Sequence, residues 1–117
     1  MQRVHTQQAG MLRIHVLTPK GRQVYFEATR YDSLSAESEY RRHREYLVSQ
    51  FDTIVISQLQ ATTVASVPAY AYSFEWDQGA RRVLLVEQAP ETYRIIYNPR
   101  FPVNLQILST VEWLSRP

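Results

Sequence analysis

Apolar and polar positions alternate with a period of two over several stretches of this chain, and switch to helical spacing twice. From Met11 to Thr18, Leu12, Ile14 and Val16 fall on one face of a strand. Pro19-Lys20-Gly21-Arg22 reads as a turn. Gln23 to Tyr31 reads as a second strand, with Val24, Phe26 and Ala28 facing one way and Tyr25, Glu27 and Thr29 the other. Together the two runs predict a hairpin. Residues 1–9 are polar and glutamine-rich, which predicts a flexible N-terminal arm ahead of one domain over residues 10–117.

The period then lengthens. Ala36, Tyr40, His43, Leu47 and Phe51 recur every three or four residues and predict a helix over about 36–50. Ser35 is placed to cap it, and Glu37 and Glu39 in the first turn complement the helix dipole. A strand is expected over Asp52 to Ala61, and a connection over Thr62 to Ser66.

From Val67 to Asn98 three strand-like runs are separated by Asp77-Gln78-Gly79-Ala80 and Ala89-Pro90-Glu91-Thr92. Tyr70, Tyr72, Phe74 and Trp76 share one strand face. Val83 to Val86 and Tyr93 to Tyr97 are apolar on both faces and need cover on both. Asn98-Pro99-Arg100-Phe101-Pro102 interrupts regular structure. Val103, Ile107, Val111 and Leu114 then predict a closing helix over about 102–115. The expected order is ββαββββα. The fold class is α+β: an antiparallel sheet of about six strands with one helix on each face, an α/β/α sandwich.

Composition narrows the chemistry. The chain has 117 residues, 44% hydrophobic and 21% charged, as expected of a single folded domain. There is no cysteine, which excludes disulfides, thiolate metal sites and cysteine nucleophiles. The net charge of +2 is too small to create a strong field for polyanions. Twelve of the thirteen basic residues are arginine, beside fourteen aromatics. No apolar run is long enough to span a membrane as a helix. Met1-Gln2-Arg3-Val4-His5 lacks the apolar core of a signal peptide. The chain as written reads as cytoplasmic; a leader ahead of it would make it exported or lipid-anchored.

The run from Thr63 to Phe74 resembles a stretch of the PsbP/Mog1-like superfamily in which a small turn precedes a Pro-Ala-x-x-Tyr strand, here Pro68-Ala69-Tyr70-Ala71-Tyr72. An arginine-bearing strand, a strand beginning near Tyr93, a proline-interrupted loop and a closing amphipathic helix follow in that family's order, so the resemblance covers about residues 11–115. Ser66 stands where the family usually has glycine, and Pro19-Lys20-Gly21 echoes half of its opening turn without the tryptophan. The superfamily includes extrinsic photosystem accessory proteins, a regulator of a nuclear-transport GTPase and bacterial envelope lipoproteins. The resemblance implies a non-catalytic protein that docks to others. It transfers no functional residue.

Candidate catalytic groups are scattered. His5, His15 and His43 have no metal-ligand spacing, and no cofactor or metal is expected. His43 falls on the apolar helical stripe and reads as a satisfied, partly buried side chain. Asp32, Asp52 and Asp77 sit beside turns; Glu37, Glu39 and Glu45 read as helix surface; Glu75 and Glu87 are expected to face one another across a hairpin. None of these pairs has a spacing suited to dividing acid and base work. The three glycines form no phosphate-cradling loop.

Binding residues are therefore sought among exposed arginines and aromatics, the types that dominate interface energy. Arg41 and Arg44 share a helix face, and Trp76 lies next to a turn. The leading expectation is a non-catalytic protein-interaction domain that docks to a larger assembly, with peripheral membrane association open to it. The alternative is a nucleic-acid or phosphate-ligand binding module using arginines and tyrosines, against which the small net charge argues.

Overall fold

The structure, a computed structural model, describes residues 2–9, 12–19, 26–32, 35–88, 91–100, 105, 108 and 111–113, with side chains from Ala28 onward apart from Asp32, Glu112 and Trp113. In chain order the elements are β1 (Gln2–Ala9), β2 (Leu12–Pro19), β3 (Phe26–Asp32), α1 (Ala36–Gln50), β4 (Ile54–Ile56), β5 (Gln60–Val64), β6 (Val67–Trp76), β7 (Gly79–Gln88), β8 (Glu91–Tyr97) and β9 (Glu112–Trp113). Six strands form one antiparallel sheet in the order β3-β8-β7-β6-β4, with β5 paired to the remaining length of β6. The expected α+β class, with a six-stranded antiparallel sheet and a helix, is what forms.

Register explains the two-sided apolarity. Tyr72 pairs with Val83 and Tyr70 with Leu85, which puts these side chains on one face; Ala71 pairs with Leu84 on the other. The first face packs under α1 in a cluster of Ala36, Leu47, Tyr72, Phe74, Val83, Leu85 and Ile96. The opposite face gathers Val64, Ala69, Ala71, Leu84, Val86, Tyr93, Ile95, Tyr97 and Val111, with Leu108 against them. Each fully buried Val, Leu or Ile contributes roughly 1.5–3 kcal/mol.

Local signals act as expected around α1. The Ser35 side chain accepts from Ser38 N at 3.1 Å, and Glu87 on β7 accepts from Ala36 N at 2.7 Å. A carboxylate at a helix N-terminus also meets the positive end of its dipole.

Several expectations are corrected. The hairpin between residues 11–18 and 23–31 does not form. β2 pairs instead with β1, the stretch expected as a flexible arm, and β3 pairs with β8. The register joins Ala9 to Leu12, and the intervening Gly10-Met11 is a short-hairpin signal that competes with Pro19-Lys20-Gly21-Arg22.

The single strand over 52–61 is two. Ile56 pairs with Phe74 but Gln60 pairs with Ala71, so three residues of one chain segment oppose two of β6, a bulge of one residue. Ser57 fills the break: its N donates to Ser73 O at 2.9 Å, and its Oγ accepts from Ser73 N at 2.8 Å. Much of the connection expected over 62–66 is β5 itself, and Ala65-Ser66 alone makes the turn.

The closing helix does not reach Ser115. Leu105 and Leu108 are helical, but Glu112–Trp113 is strand, paired to β2 at Leu12 and Arg13 in a three-stranded sheet ordered β1-β2-β9. A β-branched and an aromatic residue on either side of Glu112 suit an extended segment beside an open strand edge. The rest of the expected helix lies outside the described residues.

Glu75 and Glu87 do not face one another. Glu75 pairs with Ala80 and Glu87 with Thr92, on opposite faces of the sheet.

Candidate functional site

A cleft of about 680 Å³ opens between α1 and the sheet. The helix supplies Glu39, Arg42, His43, Tyr46 and Leu47, and Phe51 follows its last turn. The sheet supplies Tyr31 from β3, Phe74 and Trp76 from β6, Arg81 from β7, and Arg94 and Ile96 from β8. Strand pairing brings these sheet residues together. Phe74 sits opposite Arg81, and Arg94 sits opposite Leu85 on the α1 face.

Glu39 organises one end. Its side chain is fully buried, which corrects its expected place on the helix surface. One carboxylate oxygen accepts from Arg94 Nη1 at 2.9 Å. The other accepts from Arg42 Nη2 at 2.6 Å and Nε at 3.1 Å. A buried carboxylate is tolerable only with such partners, because desolvating a lone charge costs several kcal/mol. Both guanidinium groups lie over the Tyr31 ring, at 5.0 Å for Arg42 and 5.2 Å for Arg94. The Glu39 hydrogen bond raises the Arg42 pKa above its ordinary value.

His43 occupies the middle, beside Tyr46, with ring centroids 6.5 Å apart and nearly parallel. Burial, and then the charges of Arg94 and Arg42, push its pKa down to about 4. Burial pushes the Tyr72 hydroxyl up, so it keeps its proton. The Tyr72 hydroxyl and Nδ1 of the neutral imidazole share a hydrogen bond. A ring nitrogen held this way is positioned as a packing and hydrogen-bonding group.

Trp76 organises the other end. Phe74 stacks on it at 5.7 Å and Phe51 tilts against it at 5.4 Å. The Arg81 guanidinium lies 5.2 Å over its ring.

Of the three expected binding residues, Trp76 lines the cleft, while Arg41 and Arg44 lie exposed on α1 and do not. Arg41 pairs with Glu37 at 2.7 Å, both side chains largely in solvent, an arrangement worth little in stability. The sequence reading missed Glu39, Arg42, Arg81, Arg94 and Tyr31. Two signals pointed toward them. Glu39 is four residues before His43, hence on the apolar stripe. Arg94 interrupts a strand that is apolar on both faces, where a charge must find a partner. Among the described residues no group of three or more His, Asp or Glu side chains is placed to hold a metal ion. No described helix is long and apolar enough to cross a membrane.

Comparison with protein-family models, with curated proteins and with solved structures finds no match to this chain.

Proposed function

We propose that this chain is a non-catalytic recognition domain of PsbP/Mog1-like type, which docks to a protein partner by seating one of its anionic groups in the α1 cleft. The observation that carries the reading is the lining of that cleft. Three guanidinium groups and one carboxylate surround an aromatic floor. Arginine forks match carboxylates, and their planar faces stack on aromatic rings. Arg41 and Arg44 extend the basic surface beyond the cleft and steer acidic neighbours toward it. The neutral, hydrogen-bonded His43 supports a binding role over an acid–base one.

The finer architecture belongs to the same proposal. A second helix lies across the face away from α1 and completes an α/β/α sandwich. The helical backbone at Leu105 and Leu108, and the packing of Leu108 on the second cluster, support it.

The guanidinium groups also favour a second reading, in which the anion is a phosphate of a nucleotide or nucleic acid. Titrations followed by backbone amide NMR separate the two. A hexaglutamate peptide is expected to shift the amides of Arg42, Trp76, Arg81 and Arg94, and a short RNA to shift them far less. RNA binding with a steep salt dependence would favour the second reading. Shifts from neither ligand would overturn both.

A further inference from the structure

We propose that β5 pairs antiparallel with β5 of a second copy of this chain, about a two-fold axis at Thr62, and joins two six-stranded sheets into one. This contact is separate from the cleft and does not depend on the recognition reading. Among the described residues β3 pairs with β8 alone, and β4 and β5 with β6 alone, so these strands end the sheet on its two sides. The two edges differ in chemistry. β3 carries Glu27, Arg30 and Asp32, and charges on an edge strand discourage pairing with another chain. From Thr53 to Phe74 there is no Asp, Glu, Lys, Arg or His, although 21% of the chain is charged. From Gln60 to Thr63 β5 also lacks proline and glycine, which would weaken a strand. The bulge at Ser57 breaks the edge before it, so β5 is its straight part.

A strand paired with its own copy sets like against like. About Thr62, Ala61 faces Thr63 of the second copy, and Thr62 faces its own counterpart. A charged edge would place like charges opposite one another, which is destabilising. This edge meets itself without that cost, and its neutrality selects a second copy over a charged partner. The surface behind it is neutral too. Ala61 pairs with Tyr70 and Thr63 with Pro68, on the α1 face of the sheet, and all four side chains are exposed. Tyr70 is 41% exposed although it belongs to the aromatic face of β6. Pairing lines up Tyr70, Ala61, then Thr63 and Pro68 of the second copy, and repeats that row in reverse beside it. The Tyr70 ring reaches over the small Ala61 side chain toward the second copy, and aromatic residues are enriched in such contacts. The symmetry closes the contact, so both edges are used up in a dimer.

Sedimentation of the full chain over a concentration series tests this, and a dimer is expected. Ala61→Lys with Thr63→Lys sets lysine opposite lysine and should weaken the dimer about tenfold or more. Ala61→Asp with Thr63→Asp should act alike. Mixing the two variants sets lysine against aspartate and should restore a dimer that holds one of each. Val48→Lys with Gln50→Lys adds the same charge at exposed positions of α1. That end of α1 leads to Phe51 against Trp76, at the opposite end of β6 from β5, so this control should leave the dimer intact. On the unaltered protein, amide hydrogen exchange at Gln60 to Thr63 should slow as the dimer forms, whatever the variants do. A monomer at every concentration overturns the proposal, as does exchange at those amides that ignores concentration. A dimer that survives the edge lysines, one that the α1 lysines also break, or a mixture that stays apart places the contact elsewhere and overturns it too.

Discussion

Glu39 on α1 and Arg94 on β8 meet at 2.9 Å although 55 residues separate them in the chain. The Glu39 side chain is fully buried and that of Arg94 is 14% exposed, so the pair ties the helix to the sheet inside the protein. Arg42 reaches the same carboxylate from the helix surface. Removing one partner of such a group leaves buried charge uncompensated.

Glu39→Gln should therefore destabilise the domain by about 3 kcal/mol in urea melting. Glu37→Gln, at an exposed pair on the same helix, should cost less than about 1 kcal/mol. Similar small losses for both would show that Glu39 is solvated.

The depressed His43 pKa makes stability depend on pH. The folded value is about 4 and the ordinary value 6.5, so the unfolded chain binds more protons between them. The contribution is fully present above pH 6.5 and is lost as pH falls toward 4. Its size should be about 2 kcal/mol once partial solvent screening is allowed for. His43→Gln should flatten the stability profile in that window relative to the parent protein. An unchanged slope would assign the pH dependence to other groups.

The β5–β6 turn carries backbone strain. Val64 pairs with Val67 across Ala65 and Ser66, whose φ angles are 50° and 69°. That left-handed pair is the geometry for which Asn-Gly is preferred, and each side chain there costs about 1 kcal/mol or more. Ala65→Asn combined with Ser66→Gly should raise stability by about 1 kcal/mol, read as a higher midpoint in denaturant. Destabilisation would mean that the turn is not of this type.

Phe74 is 6% exposed and touches α1 through His43. Phe74→Ala should cost about 3–5 kcal/mol. A loss under about 1 kcal/mol would place the side chain outside the core.

Local chemistry was legible along the chain. The apolar stripe and Ser35 define α1, and aromatics at period two define β6 with Tyr72 and Phe74 inward. The apolar runs of β7 and β8 announce a sheet buried on both sides. These features depend on residues a few positions apart, so period and capping chemistry determine them. Tertiary structure decided the rest. Alternation marks β2 as a strand but does not choose between the stretch before it and the stretch after it. The bulge at Ser57 exists because Ile56 and Gln60 must both satisfy β6. Glu39 reads as helix surface until Arg94 arrives from β8, and Trp76 becomes part of a site only when Arg81 and Phe51 close around it. A buried charge or a binding cleft is a property of partners brought together by folding, and their identity is set by strand order rather than by any local run of residues.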